Sequence, residues 1–341
     1  MNLNRILACA ALLALAGCTS PENGSQTTGT GAKDEFTNEP ALETDQAKLD
    51  AGLVCTPFTH TDKAPVLLVH GTFTSGYEQY DWTYLPLLDQ RGYDVCAVTY
   101  PDRGLGDQQV SAEYVVNALR RIYARTGRKV AMIGHSQGAS MPRWAIRWWP
   151  SARNALEDFV LQAGPNHGTS NAPALPVLPM VTGEPAAFYQ FTPNSNFTKA
   201  VNSVDETPGD VSYTSIYTQF DELVQPATPV PTAGLDWQQN NPKVTNILIQ
   251  DICPGRFVDH VTIGLTDRVA FELTLDAISH AGPANIERAG GAAICGLAPF
   301  VPDQIIASSA VTAMLGILPK ESGAPDLHLV KEEPPLKSYA Q

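Results

Sequence analysis

A serine set between glycines, followed along the chain by a carboxylate and then a histidine, is an order of residues that can carry nucleophilic catalysis. The pentapeptide Gly134-His135-Ser136-Gln137-Gly138 has the form G-x-S-x-G. It holds a nucleophile only where an apolar strand delivers the serine to a sharp turn and a helix leaves from it. Both are written around it. "KVAMIGHS" (129–136) is a short apolar run that ends on Ser136, and "SQGASMPRWAIRWWP" reads as a helix closed by Pro150. The flanking glycines let the turn pass without side-chain clashes. A hydroxyl raised in this way can attack a carbonyl, and the N–H of Gln137 at the helix N-terminus can face the developing negative charge. Pro142 lies just past the first turn and leaves the carbonyl of Gly138 without its helical partner, which predicts a kink or a water there.

A serine needs a base, and the base needs an orienting acid. After a nucleophile on such an elbow the chain order is acid, then histidine. His167, His260, His280 and His328 follow Ser136. His167 comes too early for an acid to precede it, His280 ends an apparent helix (264–280), and His328 lies in a charged tail. His260 sits in a loop after the sixth predicted strand, where a base belongs. Asp221 directly follows the fifth strand in "YTQFDELVQP"; Glu222, Asp251 and Asp259 compete with it. Asp259 is adjacent to His260, and neighbours in an extended loop point apart, so it reads as a loop-shaping carboxylate. Thr72, in "LLVHGTFTSG" after the first strand, can offer an N–H and a hydroxyl as a second oxyanion donor. This chemistry needs no metal or cofactor, and no Cys/His cluster has ligand spacing.

The positioning elements can be read as well. "APVLLVHG" (64–71), "YDVCAVTYP" (93–101), "KVAMIGHS" (129–136), "LEDFVLQAG" (156–164), "VSYTSIYTQ" (211–219) and "VTNILIQDI" (244–252) are strand-like runs. "VSAEYVVNALRRIYART" (110–126) has helical spacing and stops at Gly127. Alternating strands and helices imply an α/β fold, an open, mostly parallel sheet with helices on both faces. The stretch 165–210 is a long excursion over the sheet's carboxyl end. Its Ala, Val, Leu and Pro content, like that of the apolar helix predicted over 302–319, suits an apolar acyl channel.

The formal charge of −13 argues against nucleic acid as a partner, since its phosphates would be repelled. The N-terminus carries one basic residue, an apolar run too short to span a bilayer, and Leu15-Ala16-Gly17-Cys18. This has the form of a bacterial lipoprotein signal over 1–17, with Cys18 acylated and anchoring an exported chain at the outer membrane or cell surface. The polar stretch 18–50 reads as a tether, 51–320 as the catalytic domain and 321–341 as a charged tail. A monomer is expected. Apart from Cys9 and Cys18 the cysteines are Cys55, Cys96, Cys253 and Cys295, which allow three pairings. Two local loops, Cys55–Cys96 and Cys253–Cys295, are the favoured set in an oxidising compartment.

Five segments, "APVLLVHGT", "DQQVSAEYVVNALRRIYARTG", "GHSQG", "IYTQFDELVQP" and "RFVDH", resemble in order and spacing the Candida antarctica lipase B-like family of α/β-hydrolases. The resemblance runs from about Cys55 to Pro319. It implies an α/β-hydrolase fold, a catalytic triad of Ser136, Asp221 and His260, and an oxyanion hole of Thr72 and Gln137. It also supports both disulfides and implies that the helix over 302–319 borders the substrate channel. Two departures stand out. The typifying lipase has tryptophan where this chain has His135, so its leaving-group selectivity does not transfer. Asn166 stands where that enzyme has a carboxylate, which leaves Asn166 and His167 as supporting residues. The expected function is hydrolysis of apolar esters, lipids first. An acyltransferase or polyester hydrolase would share the acyl-enzyme, and a binding protein that lost turnover is the reading from another class.

Overall fold

A computed structural model of the chain describes residues 36, 38–172, 183–299 and 329–341. Cys18 with its signal segment, the first part of the tether and the helix expected over 302–319 lie outside the described residues.

Among the described residues nine strands are formed: β1 Leu53–Cys55, β2 Val66–Val69, β3 Val95–Val98, β4 Val130–His135, β5 Leu156–Gln162, β6 Glu184–Pro185, β7 Ser212–Tyr217, β8 Val244–Leu248 and β9 Leu329–Val330. Seven make the central sheet, in the order β1-β3-β2-β4-β5-β7-β8. All its neighbours are parallel except the β1–β3 pair. The six predicted strands are its six parallel members. Their apolar runs are continuous because helices cover both faces, so alternate residues enter opposite cores. On β2, Leu67 and Val69 join one core with the helices Gln108–Thr126 and Pro142–Trp148. Val66 and Leu68 join the other with the helices Tyr84–Asp89 and Arg268–Ser279.

The helix Gln108–Thr126 starts where Asp107 accepts from the Gln109 N–H and ends on Gly127, whose φ of 66° is left-handed. Cys55 faces Cys96 across the antiparallel edge pair and is disulfide-bonded to it; Cys253 is bonded to Cys295. Both expected pairings are present.

The expected domain boundaries need correction at both ends. Residues 38–50 belong to the same folded unit as the sheet. Glu39 pairs with Arg120 at 2.5 Å, the Pro40 carbonyl accepts from Trp149 Nε1 at 2.7 Å, and a helix, Gln46–Ala51, buries Leu49. The charges that made this stretch look solvated are spent on specific partners. The end of the chain is likewise no loose tail. β9 pairs with β6, the Lys337 N–H donates to Gln109 Oε1 at 2.7 Å, and the Tyr339 ring packs edge-on against Trp149.

Candidate active site

β4 ends at a bend on which Ser136 takes φ 57° and ψ −122°. Serine pays about 1–3 kcal/mol to sit in so sparsely populated a region, so the surroundings must hold it there. The Ser136 N–H donates to the Gln162 carbonyl of β5 at 2.9 Å, and a helix begins at once at Gln137. The two glycines of the pentapeptide are explained by what a Cβ would meet. At Gly134 it would lie 1.8 Å from the Gly138 carbonyl oxygen, and at Gly138 it would lie 2.1 Å from that of Val69. The helix therefore crosses directly over β4 and touches the backbone of β2. The helix is interrupted in hydrogen bonding, Gln137–Ser140 and then Pro142–Trp148, but Met141 between them keeps helical φ −61° and ψ −38°, so the kink expected at Pro142 is not seen in the backbone there.

Three expected residues are brought together from three separate segments of the chain. Ser136 Oγ lies 2.9 Å from His260 Nε2. His260 Nδ1 lies 3.0 and 2.9 Å from the two carboxylate oxygens of Asp221. Asp221 Oδ1 also accepts the N–H groups of Leu223 and Val224, at 2.9 and 2.7 Å, so the loop after β7 fixes the carboxylate. His260 does not lie in an extended loop: it is the first residue of a helix, His260–Leu265. Asp259 is the N-cap of that helix, its Oδ1 accepting from both the N–H and the hydroxyl of Thr262 at 2.7 Å. Its role is thus the shaping one expected of it. Glu222, also a competitor for the acid, accepts the backbone N–H of His260 at 3.0 Å and leaves the ring to Asp221. The predicted helix over 264–280 is in fact two, with a second start at Arg268 capped by Asp267.

Burial works against a charged His260. The negative charge of Asp221, its hydrogen bond, and the charges of Glu222 and Asp259 outweigh that effect and hold the imidazole pKa above the ordinary histidine value.

The loop after β2 is pinned from several sides. The His70 ring stacks on Tyr100 at 3.8 Å, and its Nδ1 donates to the Gly71 carbonyl at 2.6 Å. The Gly71 N–H donates to Gln79 Oε1 at 2.8 Å, and the Tyr100 hydroxyl donates to the His70 carbonyl. Thr72 follows, its hydroxyl donating to Gln137 Oε1 at 3.1 Å, while Gln137 Nε2 donates to the Gly104 carbonyl at 2.9 Å. Thr72 and Gln137 are therefore neighbours across the bend. As the first residue of its helix, Gln137 has an N–H with no intrahelical acceptor. Beside them Phe73, Leu105, Ala172, Ala187, Phe188 and Phe191 form a separate apolar cluster, Phe73 and Phe188 meeting edge-on at 6.0 Å.

Asn166 and His167 are held by partners outside the Ser136–His260–Asp221 contacts. Asn166 Nδ2 donates to the Ala233 carbonyl, and His167 bridges Glu206 at 2.7 Å and the Thr232 carbonyl at 3.1 Å. His167 orders the loop. What sequence reasoning missed is Gln79, whose side chain reaches both Gly71 and His135; it has no local spacing that would have signalled it. Among the described residues no group of three or more His, Cys, Asp or Glu side chains is arranged to hold a metal ion.

A mostly parallel sheet covered on both faces, with a serine on a strand-to-helix bend, a carboxylate on a later loop and a histidine at the start of a later helix in contact with both, defines the α/β-hydrolase class. The model of the class 2 lipase family matches residues 63–241, more than half of the chain, and the chain belongs to that family of ester-bond hydrolases. It is 29% identical to lipase B of Pseudozyma antarctica over 299 residues, 85% of this chain and 86% of that one. The crystal structure of Aspergillus fumigatus lipase B superposes with a TM-score of 0.76 at 26% identity, covering 89% of this chain and 74% of the other.

Proposed function

We propose that the protein hydrolyses apolar carboxylic esters, lipids among them, by a two-step acyl-enzyme mechanism. The observation that carries this reading is the continuous chain from Ser136 Oγ through the His260 ring to the Asp221 carboxylate, with each contact at 3.0 Å or less. His260 takes the Ser136 proton as the oxygen attacks the ester carbonyl. The N–H groups of Thr72 and Gln137 receive the oxyanion, and His260 returns the proton to the departing alkoxide. Water then repeats the sequence on the acyl-serine. Asp221 holds the tautomer and stabilises the imidazolium. The apolar cluster beside the oxyanion loop supports an acyl chain as the group bound there. The two disulfides support export to an oxidising compartment. Anchoring through an acylated Cys18 and a monomeric state remain part of the same proposal.

The acyl preference is tested by a series of esters from acetate to oleate. Each buried methylene is worth about 0.8 kcal/mol, so kcat/KM should rise by at least about tenfold between acetate and octanoate. An optimum at acetate would remove the apolar channel from the proposal.

The pH dependence follows from the environment of His260. The base must be unprotonated, and its pKa is raised, so the acid limb of kcat/KM lies above the ordinary histidine value of about 6.5. Below that limb kcat/KM should fall about tenfold per pH unit. A profile measured from pH 5 to 9 that stays flat, or turns below the ordinary value, would contradict His260 as base.

A further inference from the structure

His135 takes no part in the steps above, yet it precedes the nucleophile in the chain and is buried with its ring centroid 5.1 Å from that of His260. Its Nε2 lies 2.7 Å from the backbone carbonyl of His260, and its Nδ1 lies 3.3 Å from Gln79 Nε2. Gln79 Oε1 in turn accepts the Gly71 N–H at 2.8 Å. The direction of every bond is forced. A carbonyl only accepts, so His135 Nε2 carries the hydrogen and Nδ1 is bare. Gln79 must then turn its NH₂ toward the ring, which leaves its oxygen for Gly71. The ring has little freedom to leave this place. A Cβ at position 264 would lie 2.1 Å from His135 Cδ2, so the seat exists only because Gly264 has no side chain. Burial, and then the nearby His260, push the His135 pKa down to about 3, so the neutral ring that this pattern requires persists at working pH.

We propose that His135 is a positioning residue that, through Gln79, sets the spacing between the backbone of His260 and the oxyanion loop at Gly71 and Thr72. The proposal rests on the triad reading above. The base begins one helix and the Thr72 donor lies on the loop after β2, and a shift of about 1 Å between them can cost about 100-fold in rate. One hydrogen-bonded path joins the two segments and passes through the residue that precedes the nucleophile.

The test is made on the full chain with a chromogenic ester, counting competent sites with a serine-reactive phosphonate ester and expressing kcat per competent site. His135→Phe keeps a ring and removes both hydrogen bonds. Its kcat should fall by about 10–100-fold with KM within about threefold. His135→Gln restores a donor at the position of Nε2 and should recover most of that loss, which a purely space-filling role would not allow. Gln79→Leu cuts the same path one residue further on, and combining it with His135→Phe should cost little beyond His135→Phe alone. Should His135→Phe not fold, Gln79→Leu carries the expectation by itself, with kcat down about tenfold at unchanged KM. A kcat per site within twofold of the parent in the folded variants, or independent additive losses, would overturn the positioning role. Turnover that survives Ser136→Ala would instead overturn the triad reading beneath it.

Discussion

Replacing Ser136 by alanine is expected to lower kcat for ester hydrolysis by about 10⁶-fold, down to what the oxyanion donors and substrate binding can still supply. In the proposed mechanism Ser136 and His260 act as one unit. Their 2.9 Å contact would be where the proton leaves the attacking oxygen, and without that oxygen no acyl-enzyme would form. Adding His260→Ala should therefore cost little more, because residues that act as a unit are grossly non-additive. The fold should not suffer. Ser136 Oγ is not the group that holds the strained bend; the backbone bond from Ser136 N–H to Gln162 and the close packing of Gly134 against Gly138 are. Water can also take the place of the hydroxyl beside the half-buried side chain. Initial rates on a chromogenic ester, with melting curves of both proteins, check this. A loss below about 10³-fold in well-folded protein would move the nucleophile elsewhere.

The parallel sheet was legible because its strands are covered on both sides and so are written as unbroken apolar runs. β1 was not, since three residues at an antiparallel edge with half-exposed side chains carry no pattern. The ends of the domain were misjudged for a related reason. Composition reports how many charges a stretch carries and not whether they are answered. Glu39 is answered by Arg120 and by the Ser151 N–H, and the Lys337 ammonium by Glu43, from parts of the chain that composition cannot join. At the site, Ser136 and His260 could be found because chain order and local pattern both bear on them. The choice among carboxylates rested on position alone, and the geometry separates them by what they touch: Asp221 the ring, Glu222 the backbone of His260, Asp259 the cap of its helix. The Gln79–His135 contact joins residues 56 apart with no periodicity between them, and only the folded chain shows it.

The separation of those carboxylates leads to the second large effect. Asp221→Asn should lower kcat by about 10⁴-fold while leaving the ester KM nearly unchanged. Asp221 Oδ1 accepts two backbone N–H groups, from Leu223 and Val224. An asparagine must keep its oxygen there, which forces its NH₂ into the position of Oδ2, 2.9 Å from His260 Nδ1. The retained oxygen stays 3.0 Å from Nδ1, but an NH₂ at 2.9 Å repels an Nδ1–H and is satisfied by a bare Nδ1, so the ring is expected to take the opposite tautomer, with the hydrogen on Nε2 pointing at Ser136. In that state His260 cannot accept the serine proton. The charge that offsets burial is lost as well, so the imidazole pKa should drop and the acid limb of kcat/KM should move to lower pH. Glu222→Gln provides the contrast, because its amide oxygen can still accept the His260 N–H and the ring tautomer is untouched. That variant should lose no more than about tenfold. Measuring both substitutions across pH decides the assignment, and a larger loss in Glu222→Gln than in Asp221→Asn would transfer the orienting role to Glu222.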